Sequence, residues 1–298
     1  MGFIIRNYEN KDAQDIAAFH FLFHLAYLYN ADYRPENMFC AELDGKVVAS
    51  GHLEPTDSCE YLDREGQAPA YVHRFLFDIA SAGHEEAEAA LFARIVDRAH
   101  QIKRAYPAKR LQIGHACARD DLQQIDFLLS QGFYHELSYF IMRRDLTKPL
   151  PEPAVPDGIA IRRWAMDTEQ EQALYLQAEK AGGSGESWSQ ARLNWFRGGP
   201  EWDTFTAFAG GEPVGSCMTW GLGEERSATE QIFTHPAWRR KGVAQAVIVE
   251  ALQFLRDHRH KKEATLGVVA GNAPALALYK ALGYELIDIH VLMVKELG

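Results

Sequence analysis

The stretch from Leu146 to Asp157, LTKPLPEPAVPD, constrains the chain more than any other. Prolines at 149, 151, 153 and 156 fix φ and remove backbone donors, so neither a helix interior nor a central strand can run through it. It reads as a linker, residues 146–157, and the same order of elements appears on either side of it. Before it, strands are expected at Gly2 to Arg6, Met38 to Leu43, Lys46 to Leu53, Tyr71 to Ile79, Leu111 to Cys117 and Phe133 to Arg143. Helices are expected at Lys11 to about Leu28, Glu85 to Ile102 and Asp120 to Ser130. After it, strands are expected at Gly158 to Trp164, Phe205 to Ala209, Pro213 to Trp220, Thr229 to Thr234, Ala264 to Ala270 and Tyr284 to Lys295. The helices there are Thr168 to Lys180, Trp188 to Phe196, Val243 to His258 and Ala273 to Leu282. Asp44-Gly45 and Gly210-Gly211 mark a hairpin in each half. The expected fold class is α+β, mixed α/β, in two tandem domains over residues 1–145 and 158–298.

Composition narrows the partners. A net charge of −10 argues against nucleic acid, which needs a basic surface. No apolar run approaches the roughly 20 residues of a membrane span. Polar residues follow the N-terminus too early for a secretory signal, so a cytoplasmic location is expected. Cys40, Cys59, Cys117 and Cys217 lie far apart without paired spacing, which suits buried free thiols and neither a disulfide framework nor a metal site.

The chemistry concentrates between Ile232 and Ile248, IFTHPAWRRKGVAQAVI: a strand, a basic turn containing Gly242, and the start of an apolar helix. A helix N-terminus has free N–H groups and the positive end of the macrodipole, and so binds phosphate through backbone alone. The small Gly242 and Ala244 let a diphosphate approach that backbone. Farther on, Asn272 follows a strand and can cap a helix with Pro274 in its first turn, which Gly283 ends.

The two motifs, R-x-x-G-x-A and N-x-x-A-x-x-L-Y-x-x-x-G-Y, resemble those of the GNAT (Gcn5-related N-acetyltransferase) superfamily. The second is carried by Asn272, Ala275, Leu278, Tyr279, Gly283 and Tyr284. The resemblance implies two GNAT-like domains, each a mixed, mostly antiparallel sheet flanked by helices. It implies an acetyl-CoA (CoA) site in the second half, with backbone donors from Ile232, Phe233 and Thr234. The loop Arg239, Arg240, Lys241, Gly242, Val243, Ala244 and Gln245 would take the diphosphate. Asn272 would serve as a cofactor contact or only as a helix cap. Tyr279 would be the general acid, the bland alternative being a ring packed in the core. Where many members place a glutamate this chain has Gly267, so Glu230 is the substitute for the base, against the alternative of a solvated strand-edge carboxylate. His235 reads as structural. Between the two helices that follow the linker, Glu186, Trp188 and Trp195 would line the acceptor pocket. No metal is expected.

The same resemblance makes the first half a degenerate repeat. With Gly83 set on Gly242, the arginine is missing and Glu85 and Glu86 occupy the helix start, where they repel a diphosphate. Asp121 stands for Asn272 and Leu128 for Tyr279. The N-terminal repeat would then pack on the C-terminal domain as scaffold or acceptor wall without binding CoA. Gly182 to Ser187, GGSGES, lacks the G-K-[ST] ending of a phosphate loop. His258, His260, Lys261 and Lys262 read as a solvated helix end. The implied reaction is transfer of an acyl group to an amine of a small molecule or peptide. The alternative is an inactive acyl-CoA-binding pair acting as sensor or scaffold. A monomer meets these needs, and the sequence leaves acceptor and oligomeric state open.

Overall fold

A computed structural model describes residues 2–20, 34–53, 72–152, 154–183 and 188–298. They form two compact units. The first comprises Met1–Glu136 with Val291–Gly298, the second Leu137–His290.

The first unit contains β1 (Ile4–Asn7), α1 (Ala13–Ala17), β2 (Met38–Leu43), β3 (Lys46–Leu53), β4 (Val72–Ser81), α2 (Glu85–Ala105), β5 (Arg110–Ala118) and α3 (Leu122–Ser130). Strands β1 to β4 are antiparallel neighbours, while β4 and β5 run parallel. Helix α2 buries Leu91, Ile95, Ala99 and Ile102, at helical spacing, against Phe75, Ile113 and other sheet residues. Met293 and Leu297, from the far end of the chain, complete this core. The helix expected from Lys11 is shorter where it is described: a 3-10 turn, Asn10–Asp12, leads into α1. His20 N still donates to Ile16 O at 2.8 Å, and its ring is held between Ser50 Oγ at 2.8 Å and Asp78 Oδ2 at 3.1 Å. The remainder of that expected helix, at 21–33, lies outside the described residues.

The second unit contains β6 (Tyr134–Asp145, from Leu137 onward), β7 (Ile159–Arg163), α4 (Glu169–Gly182), α5 (Gln190–Arg197), β8 (Asp203–Ala209), β9 (Glu212–Gly221), β10 (Arg226–Thr234), α6 (Val243–Asp257), β11 (Glu263–Val269) and α7 (Ala273–Ala281). The ladder runs β6-β11-β10-β9-β8-β7, antiparallel except for β10 with β11. A final strand, β12 (Tyr284–Leu297), belongs to both units, dividing at His290. The proline-rich stretch is anchored to the second unit: Leu146 is buried in its core and Arg144 donates to Pro149 O.

The repeat is visible in backbone detail. Asp121 and Asn272 cap α3 and α7 alike, accepting from Gln124 N at 3.0 Å and Ala275 N at 3.3 Å. The glycines ending these helices, Gly132 and Gly283, have φ of 82° and 81°.

Candidate functional site

In the second unit β10 pairs with β11 only through Arg226, Ser227 and Ala228. The pairing goes no further along the strand, so β10 from Thr229 to Thr234 has no ladder partner on its β11 side. On its other side, against β9, the register slips between Glu230 and Phe233. Gln231 sits inside this bulge with φ of 44°, a left-handed conformation unfavourable for any side chain with a Cβ. The result is an open strand edge whose backbone groups are re-aimed next to the start of α6.

That start leaves its backbone donors uncovered. Gly242 is the N-cap at φ 87° and gives α6 no side-chain cap, and its first turn has no acidic residue. Arg240 is also left-handed, at φ 60°. The first-turn N–H groups therefore lack intrahelical partners and face a loop of three cations. A Cβ at Gly242 would meet nothing closer than Ala154 O at 3.8 Å, so the glycine serves the left-handed conformation and leaves the space above the backbone empty. Lys241 Nζ lies 4.7 Å from the Trp238 ring centre. Arg239 is partly committed inside the protein, its Nε donating to Thr234 O at 3.2 Å and its Nη2 to Gly182 O at 3.0 Å. The Thr234 hydroxyl is buried without a partner among the described residues. His235 accepts from Ala237 N, in keeping with a structural role.

Glu230 and Tyr279 approach the same space from different elements. Glu230 is only partly exposed, and desolvation pushes its carboxyl up to about 7, against a small opposing effect of Arg192. Among the described residues nothing hydrogen-bonds this carboxylate, nor the Tyr279 hydroxyl, although that hydroxyl is not sealed from water. Burial, then Cys217 and Glu230, push the Tyr279 phenol upward, so it stays protonated at neutral pH. Its ring packs 5.8 Å from that of Tyr284. Asn272 is seen as a helix cap. Gly267 is exposed on β11, where a Cβ would meet Ile141 Cδ1 at 3.9 Å.

Of the acceptor-side residues, Glu186 lies outside the described residues. Trp188 is buried, its ring 4.4 Å from Phe196. Trp195 stands 5.0 Å from Trp220, so both tryptophans belong to one aromatic group over β9. Sequence reasoning passed over Glu179 of α4, buried at 2 % exposure. Its Oε2 accepts from Trp188 N at 3.1 Å and its Oε1 from Gln231 Nε2 at 2.7 Å. A lone Glu on a helix carries no such signal, because the partners that explain it are 9 and 52 residues away.

Residues 160–284 match the family model described as Acetyltransferase (GNAT) family. That stretch of the second unit is similar to the GNAT acetyltransferases. Within the GNAT relatives, mycothiol acetyltransferase of Salinispora tropica is 29% identical over 160 residues, 50% of this chain and 52% of that protein. That of Segniliparus rotundus is 30% identical over 160 residues, covering 48% and 58%. The chain thus matches about half the length of these curated relatives. A tandem GNAT protein from the clavulanic acid biosynthesis pathway superposes with a TM-score of 0.70 at 13% identity, covering 100% of this chain and 99% of that one. A GCN5-related N-acetyltransferase from Sphaerobacter thermophilus gives 0.68 at 16%, over 99% and 95%. Both bear out the tandem GNAT fold expected from the sequence.

The first unit also holds a cleft, of about 480 Å³, where β4 and β5 part beside α2 and α3. Its charged lining residues, Glu85, Glu88 and Asp121, are all acidic, and its walls include Phe77, Phe92 and Phe127. Among the described residues no group of three or more metal-ligating side chains occurs, and no helix is long and apolar enough to cross a membrane.

Proposed function

We propose that this chain is an acetyl-CoA-dependent N-acyltransferase working from the second unit. The observation that carries the reading is the convergence of Glu230, with its carboxyl pushed up to about 7, and the Tyr279 hydroxyl, which no described residue hydrogen-bonds, beside the open edge of β10. The donor set suits CoA: a glycine-capped helix start, a basic loop and a strand edge with free backbone groups. Acetyl-CoA, when bound, supplies a thioester carbon open to attack by an amine.

The chain's own groups then divide the work. The N–H groups at the start of α6, with Arg240 and Lys241, hold the diphosphate. Backbone donors at Ile232, Phe233 and Thr234 orient the pantetheine arm and the thioester oxygen, where negative charge grows during attack. Glu230 takes a proton from the acceptor ammonium, directly or through water, a task for which a carboxyl near 7 is matched to neutral pH. Tyr279 gives its proton to the departing thiolate. The acceptor is an amine of a small molecule or peptide, bound on the α4–α5 side near Glu186, Trp188 and Trp195. The acetyl group is favoured by the name of the curated relatives, mycothiol acetyltransferases. In the first unit, the carboxylates of Glu85, Glu88 and Asp121 oppose a diphosphate, which supports a cleft that takes no CoA.

Calorimetric titration of acetyl-CoA into the wild type and Gly242→Asp, followed by thiol-release assays with an amine panel, tests this. One site, weakened at least tenfold (about 1.4 kcal/mol) in the variant, with amine-dependent thiol release, is expected. Unchanged affinity in Gly242→Asp removes the loop from the site. Binding without thiol release across the panel would favour a sensor.

A further inference from the structure

The bulge in β10 is not a requirement of the fold. In the first unit the corresponding hairpin pairs β3 with β4 in unbroken register, Ala49↔Ser81 through Leu53↔Phe77. There Asp78 stands opposite His52, as Glu230 stands opposite Met218 in the second unit, yet no residue is inserted after it. The second unit alone puts Gln231 into a left-handed conformation between the Glu230 and Phe233 pairings. Something must hold a non-glycine residue there.

We propose that Glu179 is a positioning residue whose buried carboxylate, bridging Gln231 Nε2 and Trp188 N–H, locks the β10 bulge so that its backbone donors meet the thioester oxygen. The inference rests on the acyltransferase reading. Three observations carry it. Both Glu179 oxygens are spent within the protein, at 2.7 Å on the bulge residue and 3.1 Å on the segment leading into α5. Its neighbours Tyr175, Ala178, Trp188 and Phe233 are buried and largely apolar. An apolar residue there would pack at less desolvation cost, so the carboxylate is retained for the conformation it specifies. Finally, α4 is fitted to β10 at its last turn, where a Cβ on Gly182 would lie 2.6 Å from Phe233 Cδ2, and Arg239 clamps Gly182 O to Thr234 O. The end of α4 and the bulge thus form one joint, with Glu179 as its polar pin. A loose pin leaves CoA bound at the α6 start while the thioester oxygen loses its aligned donors.

The test uses Glu179→Gln, which keeps shape but turns one acceptor into a donor, and Gln231→Leu, which cuts the pin from the other side. Amide hydrogen exchange at 231–233 needs no ligand and should accelerate at least tenfold in both. Calorimetry should show CoA affinity within threefold of wild type, while the preference for acetyl-CoA over CoA falls about tenfold. In thiol release, turnover should fall with KM for acetyl-CoA changed far less. Unchanged exchange in both variants overturns the proposal, as does faster exchange with the acetyl-CoA preference intact. If the wild type binds no CoA, the acyltransferase reading fails, and exchange at 231–233 still decides whether Glu179 pins the bulge. If Glu179→Gln does not fold, Gln231→Leu carries the same measurements.

Discussion

At the scale of single residues, two side chains with no hydrogen-bond partner among the described residues make the sharpest predictions. Tyr279→Phe removes a hydroxyl that no described residue uses, so stability should change by less than about 0.5 kcal/mol. Turnover should nevertheless fall roughly 10²-fold or more if the phenol protonates the leaving thiolate. Steady-state kinetics beside a thermal melt separates the two effects. Glu230 predicts a pH dependence. A base acts only when deprotonated, so kcat/KM should rise with pH up to about 7 and level off above it, and Glu230→Gln should erase that limb. The stability effect has the opposite sense. The folded state raises this carboxyl from 4.5 to about 7, so the group's contribution is present below pH 4.5 and lost as pH climbs to 7. Glu230→Gln should therefore stabilise the protein at pH 8 by up to about 3 kcal/mol, each tenfold change in a protonation equilibrium being worth about 1.4 kcal/mol. Urea titrations at pH 4 and pH 8 would show it; equal differences at the two pH values contradict the buried-carboxylate account.

At the scale of elements, close packing around β10 and the start of α6 sets the tolerances. Gly182→Ala would drive a Cβ to 2.6 Å from Phe233 Cδ2 and 3.1 Å from the Thr234 carbonyl carbon, at a cost of about 1–3 kcal/mol in overpacking. A melt lowered by a few degrees checks it; an unchanged midpoint would mean that α4 slides freely on β10. This joint also shows where sequence reading stops. Strands and helices were legible because period, hairpin turns and caps are local signals: Asp44-Gly45, the Asn272 cap and Gly283 each act within a few residues. The Gly242-capped start of α6 was legible for the same reason. The bulge was not, since Gln231 is an ordinary residue by propensity and its hydrogen-bond partner Glu179 lies 52 residues away on α4. Arg239, expected in the phosphate loop, has two guanidinium nitrogens on backbone carbonyls, contacts that no local pattern signals.

At the scale of the whole molecule, the compact units do not coincide with the halves that the proline-rich stretch marks out in the sequence. Strand β6 falls mostly in the second unit, and Val291–Gly298 belongs to the first. No local signal distinguishes one end of a 14-residue strand from the other, so this arrangement was invisible in the sequence. Residues 1–136 alone lack Met293 and Leu297 from their core and should melt without cooperativity. Adding a peptide of residues 291–298 should restore a cooperative transition; a cooperative melt of 1–136 by itself would contradict the assignment. The same strand has a consequence for how the protein is made. At roughly 5–20 residues per second, the ribosome needs about 8–30 s to pass from Glu136 to Val291, and throughout that interval the first unit lacks its last strand segment. Domain-by-domain maturation from the N-terminus is thereby closed to this chain: a translation complex stalled before residue 291 should expose a protease-sensitive first unit, with its apolar sheet edge open to chaperones.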